Sequence, residues 1–171
     1  EPRGVTYNRV SLDPPFTTPS ELAERFLSHV GPRTRIVYLS DITSPTAMRL
    51  PVAQVVAAAR SRGLVTVVDG AHAPGQVDLD LTAIGADFYA GNCHKWLCNP
   101  KGAACLYVPE RNQHLMRPFI VSHGSGAGFI SDFIWTGLTD YGSLLALPFV
   151  LDLWQRSGPA LVRGYMHGLL Q

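Results

Sequence analysis

The sequence predicts an α/β fold: a mostly parallel sheet with helices on both faces. Two short, uninterrupted apolar runs, Ile36-Val37-Tyr38-Leu39 and Leu64-Val65-Thr66-Val67-Val68, have the length and composition of strands buried on both sides, as parallel strands are. Between them Val52, Val55, Val56 and Ala59 recur at helical spacing. Strand, helix and strand within roughly 35 residues make a βαβ unit, whose crossover is almost always right-handed.

The remaining elements follow in order. Val5 to Val10 has the β-branched and aromatic content of a strand already under way, with no initiator Met before it, so the chain reads as a piece of a longer protein. Thr18-Pro19-Ser20-Glu21 combines an N-cap hydroxyl, Pro at the first helical position and Glu at N3, predicting a helix to about Val30 that Gly31-Pro32 stops. Its Leu22, Phe26 and Val30 face inward, leaving Glu21, Glu24 and Arg25 wet. Pro51 opens the crossover helix; Arg60 and Arg62 suit its last turn and Gly63 its C-terminal cap. Further strands are expected at Phe88–Ala90 and Ala103–Val108, and a mostly apolar helix at Tyr141–Arg156.

Composition narrows the function. At 171 residues with 46% hydrophobic content, one core is the expectation. The 14 Lys plus Arg against 13 Asp plus Glu provide no broad basic field, so neither nucleic acid nor a membrane surface is expected, and the ligand should be small. The longest apolar run, near Leu144 to Leu153, is broken by Pro148 and Asp152, well short of the roughly 20 residues of a membrane span. Three cysteines, an odd number, argue against a disulfide framework and for a reducing, cytoplasmic setting. Cys93, His94 and Cys98 lack the paired spacing of a zinc site, so no metal is expected, and Cys93, Cys98 and Cys105 read as small hydrophobes. The glycine-rich loop Ser122 to Gly128 could cradle an anion, although such loops are more often connections.

Polar clusters follow two strands, and ligands of open α/β sheets bind beyond the carboxyl ends of strands. The first is Val68-Asp69-Gly70-Ala71-His72-Ala73-Pro74-Gly75. A carboxylate at a strand tip, followed by small residues, can pair with a cationic ring nitrogen; an Asp-Gly step also commonly caps its own turn. The second, Gly91-Asn92-Cys93-His94-Lys95-Trp96, carries a lysine between His94 and Trp96. Partial desolvation there favours the neutral, nucleophilic amine, while an ordinary exposed lysine is the alternative.

Together Asp69-Gly70-Ala71-His72, Asn92-Cys93-His94-Lys95-Trp96-Leu97 and Pro100-Lys101-Gly102 resemble the class V aminotransferase group of fold-type I pyridoxal-phosphate (PLP) enzymes, in its isopenicillin N epimerase-like form. Thr43-Ser44-Pro45-Thr46, Ala86-Asp87-Phe88-Tyr89 and Trp135-Thr136-Gly137 with Asp140 add to the likeness. The resemblance implies that Lys95 holds PLP as a Schiff base and moves the α-proton of an amino-acid substrate. It implies that Asp69 keeps the pyridine nitrogen protonated, His72 meets the phenolic oxygen, Ala71 lies beneath the ring, and Asn92 and His94 contact the phosphate. Thr43 falls where related desulfurases use an Asn near the ring. Residues 1–156 would form the PLP-binding core of the large domain, with 157–171 beginning the connection toward a C-terminal small domain. A homodimer is implied too, since the segment around Trp135 to Asp140 completes the neighbour's site in related enzymes.

Two positions depart from the family pattern. Leu138 stands where a Thr usually reaches the neighbour's phosphate, and Ala47 where Gly is common. The implied activity is epimerase, aminotransferase or lyase chemistry at Cα; the alternative is a truncated, non-catalytic α/β module kept for assembly.

Overall fold

The computed structural model describes residues 4–12, 15 and 18–169. Helix α1 (Pro19–Leu27) begins as expected, the Thr18 hydroxyl accepting the Glu21 N–H at 3.1 Å. It ends three residues before Val30 because Ser28 Oγ donates back to the Arg25 carbonyl at 2.7 Å, and such local bonds compete with continuing the helix. The βαβ unit follows as β1 (Ile36–Ser40), α2 (Val52–Arg60) and β2 (Val65–Asp69), with Gly63 in the left-handed conformation after α2. The short α3 (Leu81–Ile84) leads to β3 (Phe88–Asn92), then β4 (Ala104–Tyr107), α4 (Glu110–Gln113), α5 (Phe129–Ile134), α6 (Gly142–Ser157) and α7 (Pro159–Gly168).

The sheet has the order β1-β2-β3-β4, the first three strands parallel and β4 antiparallel to β3. This is the mostly parallel α/β architecture the sequence predicts. Val37, Leu39, Val68 and Tyr89 point to one face, where Val52, Val55, Val56 and Ala59 of α2 join them in the core and Leu22 and Leu27 of α1 complete it.

The opposite face differs from the expectation for β1. Ile36 and Tyr38 are 60% and 59% exposed, so β1 alternates rather than being buried on both sides. The uninterrupted apolar run encodes two covered faces, but only the α2 side is covered among the described residues. Val5 to Val10 forms no strand either: no partner strand lies alongside among the described residues, and Arg9 instead sits 5.3 Å from the Tyr7 ring centroid. The loop Ser122 to Gly128 is a connection that consumes its own amides, Gly126 N–H donating to Asp132 Oδ1 at 2.7 Å and Ala127 N–H to the Gly124 carbonyl. Among the described residues no helix is long and apolar enough to cross a membrane.

One buried carboxylate ties β2, β3 and α4 together. Asp87 Oδ2 accepts from the Thr66 N–H and hydroxyl, both at 2.9 Å, and Oδ1 accepts from Asn112 Nδ2 at 2.7 Å, with Arg111 at 3.5 Å. Burial alone would push this carboxyl up, but Thr66, Asn112 and Arg111 together hold it below the usual carboxylate range. A group with a depressed folded-state pKa stabilises the fold above its unfolded value, about 3.9, and that stability is lost as pH falls through the folded value. The melting temperature should therefore drop on acidification below about pH 4, and the drop should be shallower in Asp87→Asn; thermal scans across pH 2–6 measure both slopes.

Candidate active site

Asp69 is the last residue of β2 and pairs in register with Ala90 of β3 and Ser40 of β1. Alternation therefore puts Tyr38, Asp69, Ala90 and Asn92 on one face, the face α2 leaves open. Asp69 Oδ1 accepts the Ala71 N–H at 3.0 Å, so the ordinary turn-capping reading is true of this residue. Oδ2 accepts the Tyr38 hydroxyl at 3.1 Å. A carboxylate oxygen has two acceptor positions, so this arrangement still leaves capacity for a cationic ligand. Partial burial and then the Asp69 charge push the Tyr38 hydroxyl pKa up, which keeps it a donor. Tyr38 is a site residue the sequence reading missed; the signal was parity, since it lies two residues before the β1 tip and shares a face with the neighbouring tip.

Lys95 sits in the turn just past β3. The Cys98 N–H donates to the Lys95 carbonyl and the Asn99 N–H to the Cys93 carbonyl, each at 3.0 Å, while the Cys93 N–H donates to Ala103 at 3.1 Å. Lys95 Nζ lies 3.1 Å from His72 Nε2, both side chains half-buried. The two polar clusters thus meet, and they meet closely. Gly75 adopts φ +86° with its Cα against the Trp96 backbone, where an added Cβ would sit 2.6 Å from the carbonyl, and a Cβ at Gly91 would sit 2.8 Å from the Pro74 ring.

The other candidates are placed unevenly. Ala71 is positioned by its bond to Asp69, and Asn92 ends β3 on the Asp69 face. His94 Nδ1 is buried with no hydrogen-bond partner among the described residues. Thr43 follows β1, but its hydroxyl is engaged inside its own loop, 2.6 Å from Thr46 Oγ1 and accepting the Met48 N–H at 2.9 Å. Ala47 in that loop has φ +50°, which explains why glycine suits the position. The cysteines divide: Cys93 is buried, with burial and then the Cys105 thiol pushing its pKa up, whereas Cys98 and Cys105 are exposed and do not pack as small hydrophobes.

Measured against PLP, the donor set fits: an amine for its aldehyde, a strand-tip carboxylate for its ring nitrogen, and an orphaned buried imidazole nitrogen that a phosphate oxygen would satisfy. Two clefts of about 680 and 570 Å³ lie elsewhere, one lined by Val30, Arg35 and Gly63, the other by Thr18, Asp41 and Gln54.

Residues 12–130 match the profile of the family described as Aminotransferase class-V. The chain belongs to the class V aminotransferase family. It is 37% identical over 161 residues to isopenicillin N epimerase of Streptomyces clavuligerus, covering 85% of this chain and 40% of that protein. It is 32% identical over 179 residues to an L-cysteine desulfhydrase-like protein of Epichloe uncinata, covering 88% and 39%. Among solved structures, a variant of the lyase C-DES with glycine covalently linked to its PLP cofactor superposes with a TM-score of 0.71 at 28% identity, over 80% of this chain and 39% of that one. The chain thus spans about 40% of the length of these relatives.

Proposed function

We propose that this chain supplies the cofactor-anchoring part of a PLP-dependent enzyme acting at the Cα of an amino acid. The observation that carries the reading is the meeting of two strand tips: Asp69 at the end of β2, and Lys95 just past β3 with its amine 3.1 Å from His72. Bound PLP supplies an electron sink for the charge released at Cα. Lys95 would hold the cofactor through Nζ and then carry a proton to and from the substrate Cα. His72 Nε2, 3.1 Å from Lys95 Nζ, would orient the Lys95 amine. Asp69, its carboxylate fixed by Ala71 and Tyr38, would hold the ring nitrogen protonated. Ala71 leaves room for a flat ring, and Asn92 and His94 would take the phosphate.

Cysteine is a reasonable substrate class, because desulfhydrase-like relatives share this segment, and epimerisation of an amino-acid centre is the alternative within the same chemistry. Homodimerisation is part of the reading: Leu138, 98% exposed, lies in the Trp135–Asp140 segment that would face a second subunit. The core at 1–156, leading from residue 157 toward a small domain, belongs to the reading as well. Titrating PLP into the full-length protein tests it. A visible Schiff-base band should form with the parent and be absent in Lys95→Ala; equal bands in both would contradict the role of Lys95.

A further inference from the structure

Helix α6 buries none of its residues, yet it is fastened to the chain at both ends. In its first turn the Ser143 carbonyl accepts Asn99 Nδ2 at 3.0 Å, and in its last turn Trp154 Nε1 donates to the Leu97 carbonyl at 2.8 Å. Both partners, Leu97 and Asn99, belong to the turn that carries Lys95. The two bonds are eleven residues apart on α6, so they fix the helix's direction as well as its distance.

The turn itself needs holding. Cys98, between the two clasped residues, has φ +63°, a left-handed conformation that costs a non-glycine residue on the order of 1 kcal/mol. Asn99 is only 4% exposed, and its amide gives both hydrogens to carbonyls, one to Pro100 and one to Ser143, while Oδ1 is buried without a partner among the described residues. Its amide group serves through its donors. Gly102, at the end of the same turn, lies so close to Ser143 that a methyl group there would sit 3.0 Å from its hydroxyl.

We infer that Asn99 and Trp154 are positioning residues: they clasp α6 to the Lys95 turn and so set the direction from which Lys95 Nζ meets a carbonyl ligand. The inference rests on the assignment of Lys95 as the PLP-binding lysine. Each acts through the turn at residues 97–99. Displacement of α6 would then be felt at Lys95, coupling the segment that precedes α6 to the amine.

The test uses the full-length protein loaded with PLP, in the parent, Trp154→Phe and Asn99→Ala. Trp154→Phe keeps an aromatic ring while removing the N–H together with part of the ring system. Two readouts need no substrate: the rate of PLP release into an excess of a trapping apoenzyme, and the circular dichroism of the visible cofactor band, which reports chromophore orientation. Loss of one clasping bond should speed release about five- to tenfold and reduce the dichroic band by about half, while absorbance still shows a fully formed Schiff base. Against an added amino acid, kcat should fall with KM unchanged within about twofold. A parent band that requires Lys95, together with release rates and a dichroic band indistinguishable from the parent's in both variants, overturns the clasp and leaves the Lys95 assignment standing. A parent without a Lys95-dependent band overturns both.

Discussion

Replacing Asp69 by Ala in the full-length enzyme should leave PLP able to join Lys95 but slow exchange of the substrate Cα hydrogen by about 10²–10³-fold, the usual effect of removing one electrostatic partner from a reacting centre. The cause is the ring nitrogen. A carboxylate beside it keeps it protonated, and a protonated ring withdraws electrons from Cα far better than a neutral one. Asp69 also caps its own turn through the Ala71 N–H and receives the Tyr38 hydroxyl, so the alanine variant changes local structure as well as charge. Asp69→Asn separates the two, because its side-chain carbonyl still accepts from Ala71 while the charge is gone. Similar losses in both variants, followed by deuterium exchange at Cα of added amino acids, would attribute the effect to charge. Full exchange in Asp69→Asn would place the electron-sink role elsewhere.

The second large effect is expected at Gly75. Its φ of +86° disfavours any Cβ, and the Trp96 carbonyl 2.6 Å from where a Cβ would stand leaves no space for one. Overpacking of this kind costs about 1–3 kcal/mol, and the left-handed backbone adds about 1–2 kcal/mol. The contact lies between main chain and main chain, so no side-chain rotation relieves it. Gly75→Ala should therefore lower the melting temperature by several degrees, at about 2–4 °C per kcal/mol. It should weaken PLP binding as well, because relief requires the Asp69 loop and the Lys95 turn to separate, breaking the 3.1 Å contact between His72 and Lys95. Calorimetry and PLP titration check the two effects. A variant that melts early yet binds PLP like the parent would show that the two loops are not coupled through Gly75.

The sequence made the two strand tips readable because the physics there is local. Val65 to Asp69 and Phe88 to Asn92 are short apolar strands, and polar residues after parallel strands mark the ligand edge whatever the ligand. The distance between His72 and Lys95 was not readable, since it depends on the close approach at Gly75. Tyr38 was overlooked because an aromatic within an apolar run reads as core. Asn99 and Trp154 lie in motif and helix contexts that explain them singly, and only the tertiary arrangement joins them across more than fifty residues of chain. The exposure of Cys98 and Cys105 has the same origin: cysteine burial is a tendency of the residue, while here Cys98 lies in the turn after β3 and Cys105 on the edge strand β4.

The antiparallel pairing of β4 with β3 has a kinetic consequence. Because the chain leaves β3 at Asn92 and returns at Ala104 along the same strand, the Lys95 turn is closed by a segment of about 10 residues, a step that takes on the order of 10–100 ns in an unfolded chain. Asp69 must instead await the βαβ crossover, whose contacts span a longer stretch and close later. The lysine side of the site can therefore assemble as a local hairpin before the carboxylate side exists, and the nascent amine waits for its partner.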